Sequence, residues 1–264
     1  MSELVLDPEI QKDILRTGLV ILAGKSAGKS VAAKWLASQI LQKKILSDMD
    51  VRVKITDSCQ NWIHSFDPIP SQIVTKETRY LRGIDENEPN MLYDLEFNDT
   101  ESAIQIIQKL LLHDLTVNRE KKMVGKLNYW TFYVIEEAQN IIGRYALTGR
   151  KGEFWLKIIS EGRNFNISFI LIGQRAADIS AQAIERAQGY LLGRMTGDND
   201  RAKVKRICGS NSGIDEDITK LKSGEFIYYN GAKSWEIKFP LYEPKTKPIL
   251  VGIGGEVYCR ERLT

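Results

Sequence analysis

Two Gly-Lys-Ser triplets stand close together, at residues 24–26 and 28–30. A loop of pattern G-x-x-x-x-G-K-[S/T] wraps phosphates in backbone N–H groups, sends its lysine to the β- and γ-phosphates and its hydroxyl to Mg²⁺. Register decides between the triplets. Lys25 in the lysine position would need glycine at 19, where Leu19 lies inside an apolar run; Lys29 would need glycine at 23, where Ala23 is a small departure. The second register also sets Gly28, Lys29 and Ser30 at a helix start, where unsatisfied N–H groups and the helix dipole attract anions. The cradle is therefore expected from Gly24, Lys25, Ser26, Ala27, Gly28, Lys29 and Ser30, with ATP as its nucleotide, Lys29 on the phosphates and Ser30 on Mg²⁺.

A second chemical group closes a later apolar run. Residues 129–135 (YWTFYVI) end in Glu136-Glu137. ATP hydrolysis needs one carboxylate to hold Mg²⁺ through its water shell and another to polarise the attacking water. Adjacent residues at a strand end point different ways. Glu136 is expected at the metal and Glu137 at the water, with Glu136 reaching one methylene further than the usual Asp.

Elements that could position these groups emerge from periodicity. Residues 18–23, 129–135 and 167–173 are apolar throughout, the pattern of buried parallel strands. Residues 51–56 alternate and end at Asp57, where a turn cap is expected. From Lys29 the stripe Val31, Ala32, Trp35, Leu36, Ile40 and Leu41 marks a helix, and another starts at Asp99 or Thr100. A helix carrying Trp155, Ile158 and Ile159 precedes the strand at 167–173. Beyond it the pattern predicts a helix near 180–187, a strand near 189–194, helices near 198–207 and 214–221 and a hairpin near 225–239. Strands alternating with helices predict an α/β fold with a central, mostly parallel sheet flanked by helices, and with the phosphate loop this resembles a RecA-like P-loop NTPase. One motor domain over residues 1–264 is expected, with 58–99 as an insertion holding short strands near 72–75 and 91–95.

Composition narrows the function classes. The 264 residues are 43% hydrophobic and 27% charged with net charge +3, ordinary for a globular chain and too weakly basic to indicate nucleic acid unaided. Cys59, Cys208 and Cys259 lie far apart, which argues against a disulfide framework or zinc site and for a reducing, cytoplasmic setting. His64 and His113 are isolated. No apolar stretch approaches the roughly 20 residues that cross a bilayer, and the acidic start is unlike a secretory signal.

Taken in order, the motifs resemble the HerA/FtsK superfamily of ring-forming, DNA-translocating ATPases. Residues 135–140 (IEEAQN) are similar to that family's EEAHN segment, with Gln139 where His is frequent. Residues 160–166 (SEGRNFN) resemble its EGRKFG segment, and Gly173-Gln174-Arg175 its SQRP or TQRP. Residues 187–200 resemble its later strand and R-x-T-x-x-N-D turn. The resemblance implies that Gln174 senses the γ-phosphate and that Arg163 is an arginine finger given to a neighbouring subunit, hence a homo-oligomer, usually a hexamer. It also implies double-stranded DNA as partner, gripped by pore loops for which Arg144, Arg150 and Lys151 are the favoured residues, with Arg201–Arg206 as a second cluster. The loop at residue 23 leaves no room ahead of it for the HerA β-barrel, so a compact motor like those of viral packaging or plasmid transfer is expected, in the host cytoplasm if viral. Two other functions stay open: an ATPase driving protein assembly or secretion, and a nucleotide-dependent scaffold without translocation.

Register gives the first test. Lys29→Ala should abolish ATP binding in an equilibrium binding assay. Unchanged affinity would mean that Lys25, not Lys29, is the phosphate lysine.

Overall fold

A computed structural model of the chain describes residues 4–42, 44–46, 48–57, 62, 72–74, 90–94, 100–143, 149–187, 189–242, 249–251 and 257–259. In chain order the elements begin with α1 (Pro8–Thr17), β1 (Leu19–Leu22), α2 (Lys29–Leu41), β2 (Asp50–Asp57), β3 (Gln72–Val74) and β4 (Asn90–Asp94). They continue through α3 (Thr100–Met123), β5 (Tyr129–Ile135), α4 (Gln139–Ile142), α5 (Gly149–Glu161), β6 (Ile167–Gly173), α6 (Ala181–Arg186) and β7 (Gly189–Gly193). The last are α7 (Asp198–Cys208), α8 (Ile214–Lys220), β8 (Glu225–Tyr229), β9 (Ser234–Lys238), β10 (Ile249–Val251) and β11 (Val257–Cys259). The fold is α/β, with mostly parallel strands flanked by helices.

Two compact units divide the chain. The first comprises Met1–Trp35, Glu137–Asn164 and Ser168–Tyr242; the second comprises Leu36–Glu136, Phe165–Ile167 and Glu243–Thr264. In the first unit the strands run in the order β6-β1-β7-β8-β9. β1 is parallel to both β6 and β7, with Leu22 in register with Gly173 on one side and Leu192 on the other. The three strands therefore end together. β8 and β9 then add an antiparallel hairpin. All four residues of β1 and all seven of β6 are buried, as the unbroken apolar runs require of strands covered on both faces. Helix α1, which patterning did not point to, is capped by the Asp7 carboxylate, which accepts the Glu9 N–H at 2.7 Å, and opens on Pro8. Its Asp13 accepts from the Tyr228 hydroxyl at 3.1 Å and the Asn230 amide at 3.0 Å, and Lys233 pairs with Glu9 at 2.8 Å. Burial and the Asp13 carboxylate push the Tyr228 phenol far above its ordinary range.

The second unit has the strand order β3-β4-β2-β5, all parallel. The short strands expected within 58–99 thus extend the sheet beyond β2. Trp62, fully buried, is the other described residue of that stretch. Its N–H donates to the Asp57 carboxylate at 2.7 Å; the turn expected after Asp57 lies outside the described residues. β10 and β11 form a separate antiparallel pair that the apolar pattern did not reveal.

A buried ion pair lies within this unit. Lys54 on β2 is 0% exposed and its ammonium sits 2.8 Å from Asp114 Oδ1 on α3. The Tyr133 hydroxyl on β5 donates to the other oxygen of Asp114. Desolvating two ions is costly, and only close pairing with further hydrogen bonds offsets it. Asp114→Ala should accordingly destabilise the fold by about 3–5 kcal/mol in urea unfolding, because it strands a buried ammonium. Replacing Lys54 and Asp114 together with apolar residues of similar volume should cost far less; equal losses would show that packing, not charge, sets the cost.

Candidate nucleotide-binding site

The phosphate loop leaves β1 at Ala23 and enters α2 at Lys29, all inside the first unit. Its backbone is held on three sides. The Ala23 N–H donates to Gly173 O at 3.3 Å, past the end of β1, and the Gly24 N–H to Arg194 O at 2.9 Å, just past β7. The turn before β8 supplies the third hold. Gly224 N–H donates to Ala27 O at 3.0 Å and the Ser223 hydroxyl to Ser26 O at 3.1 Å. That turn is anchored in its own right: Phe239 N–H donates to Gly224 O at 2.9 Å, and the Phe239 ring packs edge-on against Trp35 of α2 at 5.4 Å.

Gly28 is required by this geometry. Its φ is +94°, and a Cβ there would lie 3.0 Å from Gly224 N and 3.2 Å from Gly224 Cα. Ser26 also has positive φ, 62°. Lys25 and Ser26 are exposed at the loop's tip, Ala27 is buried, and Lys29 and Ser30 are half-buried at the helix start. No acidic residue lies in the first turn of α2 to compete with an anion there. Helix-start amides have no carbonyl one turn back, so those of Gly28, Lys29 and Ser30 suit an anion.

At the C-terminal end of β6, Gln174 meets Glu137. The Gln174 amide donates to Glu137 Oε1 at 2.6 Å, and the Gln139 amide donates to Oε2. Glu137 has φ +49°, in the left-handed region. The segment is pinned to β6 by Ala138 N–H donating to Ile172 O at 2.8 Å. The first unit thus brings together the loop, Glu137 and Gln174 at one end of its strands. Glu136 closes the second unit, 2% exposed, with its N–H donating to Thr56 O at 3.3 Å. The donors expected for Mg²⁺, a hydroxyl and a carboxylate, are all oxygen, as that hard cation requires. The acid-free start of α2 also fits a phosphate-bound metal rather than an all-protein cage.

Arg163 lies elsewhere. It is exposed on the short 3-10 turn Gly162–Phe165 that precedes β6. Gln174 lies past the other end of that strand, about 20 Å on at roughly 3.3 Å per residue. Arg163 therefore cannot reach the phosphate loop of its own chain. Arg144 is outside the described residues, and Arg150 and Lys151 fall in the first turn of α5, where only the backbone is described.

Two structural roles escaped the motif reading. Asp200, buried at the start of α7, accepts the Ala177 N–H at 3.1 Å and pairs with Arg175 at 3.6 Å. This ties the residues after Gln174 to the N-D turn. The brace from Ser223 and Gly224 had no such signal, since a Ser-Gly pair before an apolar run reads only as a hairpin start.

No family model matches the sequence. A segment of 136 residues is 26% identical to the DNA double-strand break repair helicase HerA of Sulfurisphaera tokodaii; it covers 49% of this chain but only 26% of that protein's length. Among solved structures, the genome packaging NTPase B204 from Sulfolobus turreted icosahedral virus 2, in complex with ATP-gammaS, aligns with a TM-score of 0.59 at 14% identity, over 86% of this chain and 97% of that one. This chain has the fold of a P-loop ATPase. VirB4 of Thermoanaerobacter pseudethanolicus aligns with a TM-score of 0.58 at 13% identity, over 84% of this chain and 89% of that one. The pCW3 conjugation coupling protein TcpA, with ATPgS, aligns at 0.55 and 16% identity, over 88% and 62%. The resemblance to HerA/FtsK-type P-loop ATPases that the motifs carried holds in these comparisons.

Gly28→Ala should lower both stability, by about 1–3 kcal/mol for the forced backbone, and affinity for a fluorescent ATP analogue. Wild-type values for both would show that the Ser223–Gly224 turn does not confine the loop.

Proposed function

We propose that this chain is the ATP-hydrolysing subunit of a ring-shaped homo-oligomer, a hexamer, that translocates or packages double-stranded DNA in the cytoplasm. The observation that carries the enzymatic part is the Glu137–Gln174 pair, standing at the end of β6 where Gly173 is in register with the last residue before the phosphate loop. A carboxylate and an amide beside a phosphate cradle are what hydrolysis of a γ-phosphate uses.

In this reading the amides of Gly28, Lys29 and Ser30 and the Lys29 ammonium bind the phosphates. The Ser30 hydroxyl and, through water, Glu136 would hold Mg²⁺, which would supply positive charge against the phosphates. Glu137 takes a proton from the attacking water as its oxygen bonds to the γ-phosphorus. The bond from that phosphorus to the bridging oxygen breaks, and ADP leaves. Gln174 donates to a γ-phosphate oxygen. Arg163 serves the neighbouring subunit's ATP, which its place beyond the far end of β6 supports; such fingers contribute about 10³–10⁵ in rate.

The DNA part draws on the HerA segment and the packaging NTPase fold, with Arg144, Arg150 and Lys151 proposed to grip phosphates without reading bases. That the two units act as one motor domain belongs to the same proposal. No helix among the described residues is long and apolar enough to cross a membrane.

Steady-state ATPase rates with and without linear double-stranded DNA, at low and moderate salt, test the whole. Stimulation that weakens with salt is expected. Hydrolysis indifferent to DNA would replace this reading with an ATPase of protein assembly or secretion. Mixing Arg163→Ala with Glu137→Gln subunits should restore part of the rate at intermediate ratios, because intact halves meet at some interfaces; no recovery at any ratio would remove the finger from Arg163.

A further inference from the structure

Both oxygens of the Glu137 carboxylate are held by side-chain amides, but the two holders are differently placed. Gln174 stands just past β6 and, in the function proposed above, turns its amide to the γ-phosphate. Gln139 begins α4, two residues after Glu137, and has no such duty. Its donation to Glu137 Oε2 comes from a firmly fixed backbone. Asn140 N–H donates to Glu137 O at 2.8 Å, and Ser180 N–H to Ile142 O at 3.1 Å. Gly143, which ends α4, makes an antiparallel bridge to Ile179. A Cβ on Gly143 would lie only 2.2 Å from Gln139 O, so the turn closes directly over the glutamine's own carbonyl.

The amide itself is oriented at a cost. Gln139 Oε1 is buried and accepts no hydrogen bond among the described residues. Leaving a buried acceptor unsatisfied is unfavourable, and each such group calls for an explanation. Turning the amide over would aim Oε1 at the carboxylate, oxygen against oxygen. The arrangement thus satisfies Glu137 at the expense of Gln139.

We propose that Gln139 is a positioning residue for the hydrolysis of ATP: by holding Oε2 it keeps the Glu137 carboxylate in one rotation while Gln174 moves to the γ-phosphate, so that Oε1 becomes the oxygen that meets the attacking water. The inference rests on the reading of Glu137 as the proton acceptor. In that reading Gln139 acts on the carboxylate rather than on nucleotide or water. Its loss therefore acts on turnover and leaves nucleotide binding alone, because the holds on the phosphate loop come from β6, β7 and the turn before β8 rather than from α4.

The experiment compares the full chain with Gln139→Met, which keeps length and volume but has no donor, and Gln139→His, which restores an N–H. Measured are kcat, KM, the Kd of a fluorescent non-hydrolysable ATP analogue and the melting temperature. A hydrogen bond to a charged group is strong enough that Gln139→Met should lower kcat about tenfold or more. KM, Kd and melting temperature should stay within about twofold or a few degrees, and Gln139→His should regain most of the rate. Wild-type kcat in Gln139→Met would overturn the inference. So would a loss of kcat that comes with lost affinity or stability and is not regained by His. Glu137→Gln separates the two claims: if it hydrolyses ATP at the wild-type rate, the reading of Glu137 itself fails, whatever Gln139 does.

Discussion

Parallel pairing of β1 with β6 on one side and β7 on the other is the constraint on which the site depends. Because Leu22 faces both Gly173 and Leu192, three strands stop at one level, and the residues after each of them are delivered to the same edge. Those residues are the phosphate loop after β1, Gln174 after β6 and Arg194 after β7. Ligands of open α/β sheets gather at the carboxyl ends of the strands for this reason. A shift of β6 by one residue would turn its side chains to the other face and separate Gln174 from Glu137. Fully buried, unbroken apolar strands are what hold this register, and the chemistry is a consequence of it.

The sequence was most informative where one residue type does one physical job. The second Gly-Lys-Ser triplet could be chosen because Ala23 departs little from the glycine that the pattern wants, whereas Leu19 departs far, and the structure shows why position 28 needs glycine: a positive φ and the Gly224 backbone against it. The strands at 129–135 and 167–173 were legible because they are apolar on both faces. Helix α1 was not, although Asp7 and Pro8 carry a helix-start signature; its ten residues are short and mostly polar. The strands β10 and β11 are three residues each, below what periodicity can resolve.

Less of the site than of the fold was legible. Residue types named the carboxylates, but not that Glu137 would adopt a left-handed backbone or be held by two amides. Those facts depend on α4 and β6 being brought side by side, which no local pattern encodes. The same holds for Asp200, whose carboxylate reaches back across more than twenty residues of chain to Ala177 and Arg175. A motif records that such residues occur together, and only their contacts say what joins them.

The brace that Ser223 and Gly224 place on the phosphate loop bears on the rate of nucleotide exchange. Glycine-rich loops lose much conformational entropy when they close around an anion, and that loss is subtracted from affinity. In this chain the ordering is achieved on folding, by backbone hydrogen bonds to β7 and to the turn before β8. An incoming nucleotide meets a cradle already shaped. If the chain binds ATP as proposed, capture would then be set by diffusion and charge rather than by the search of a mobile loop.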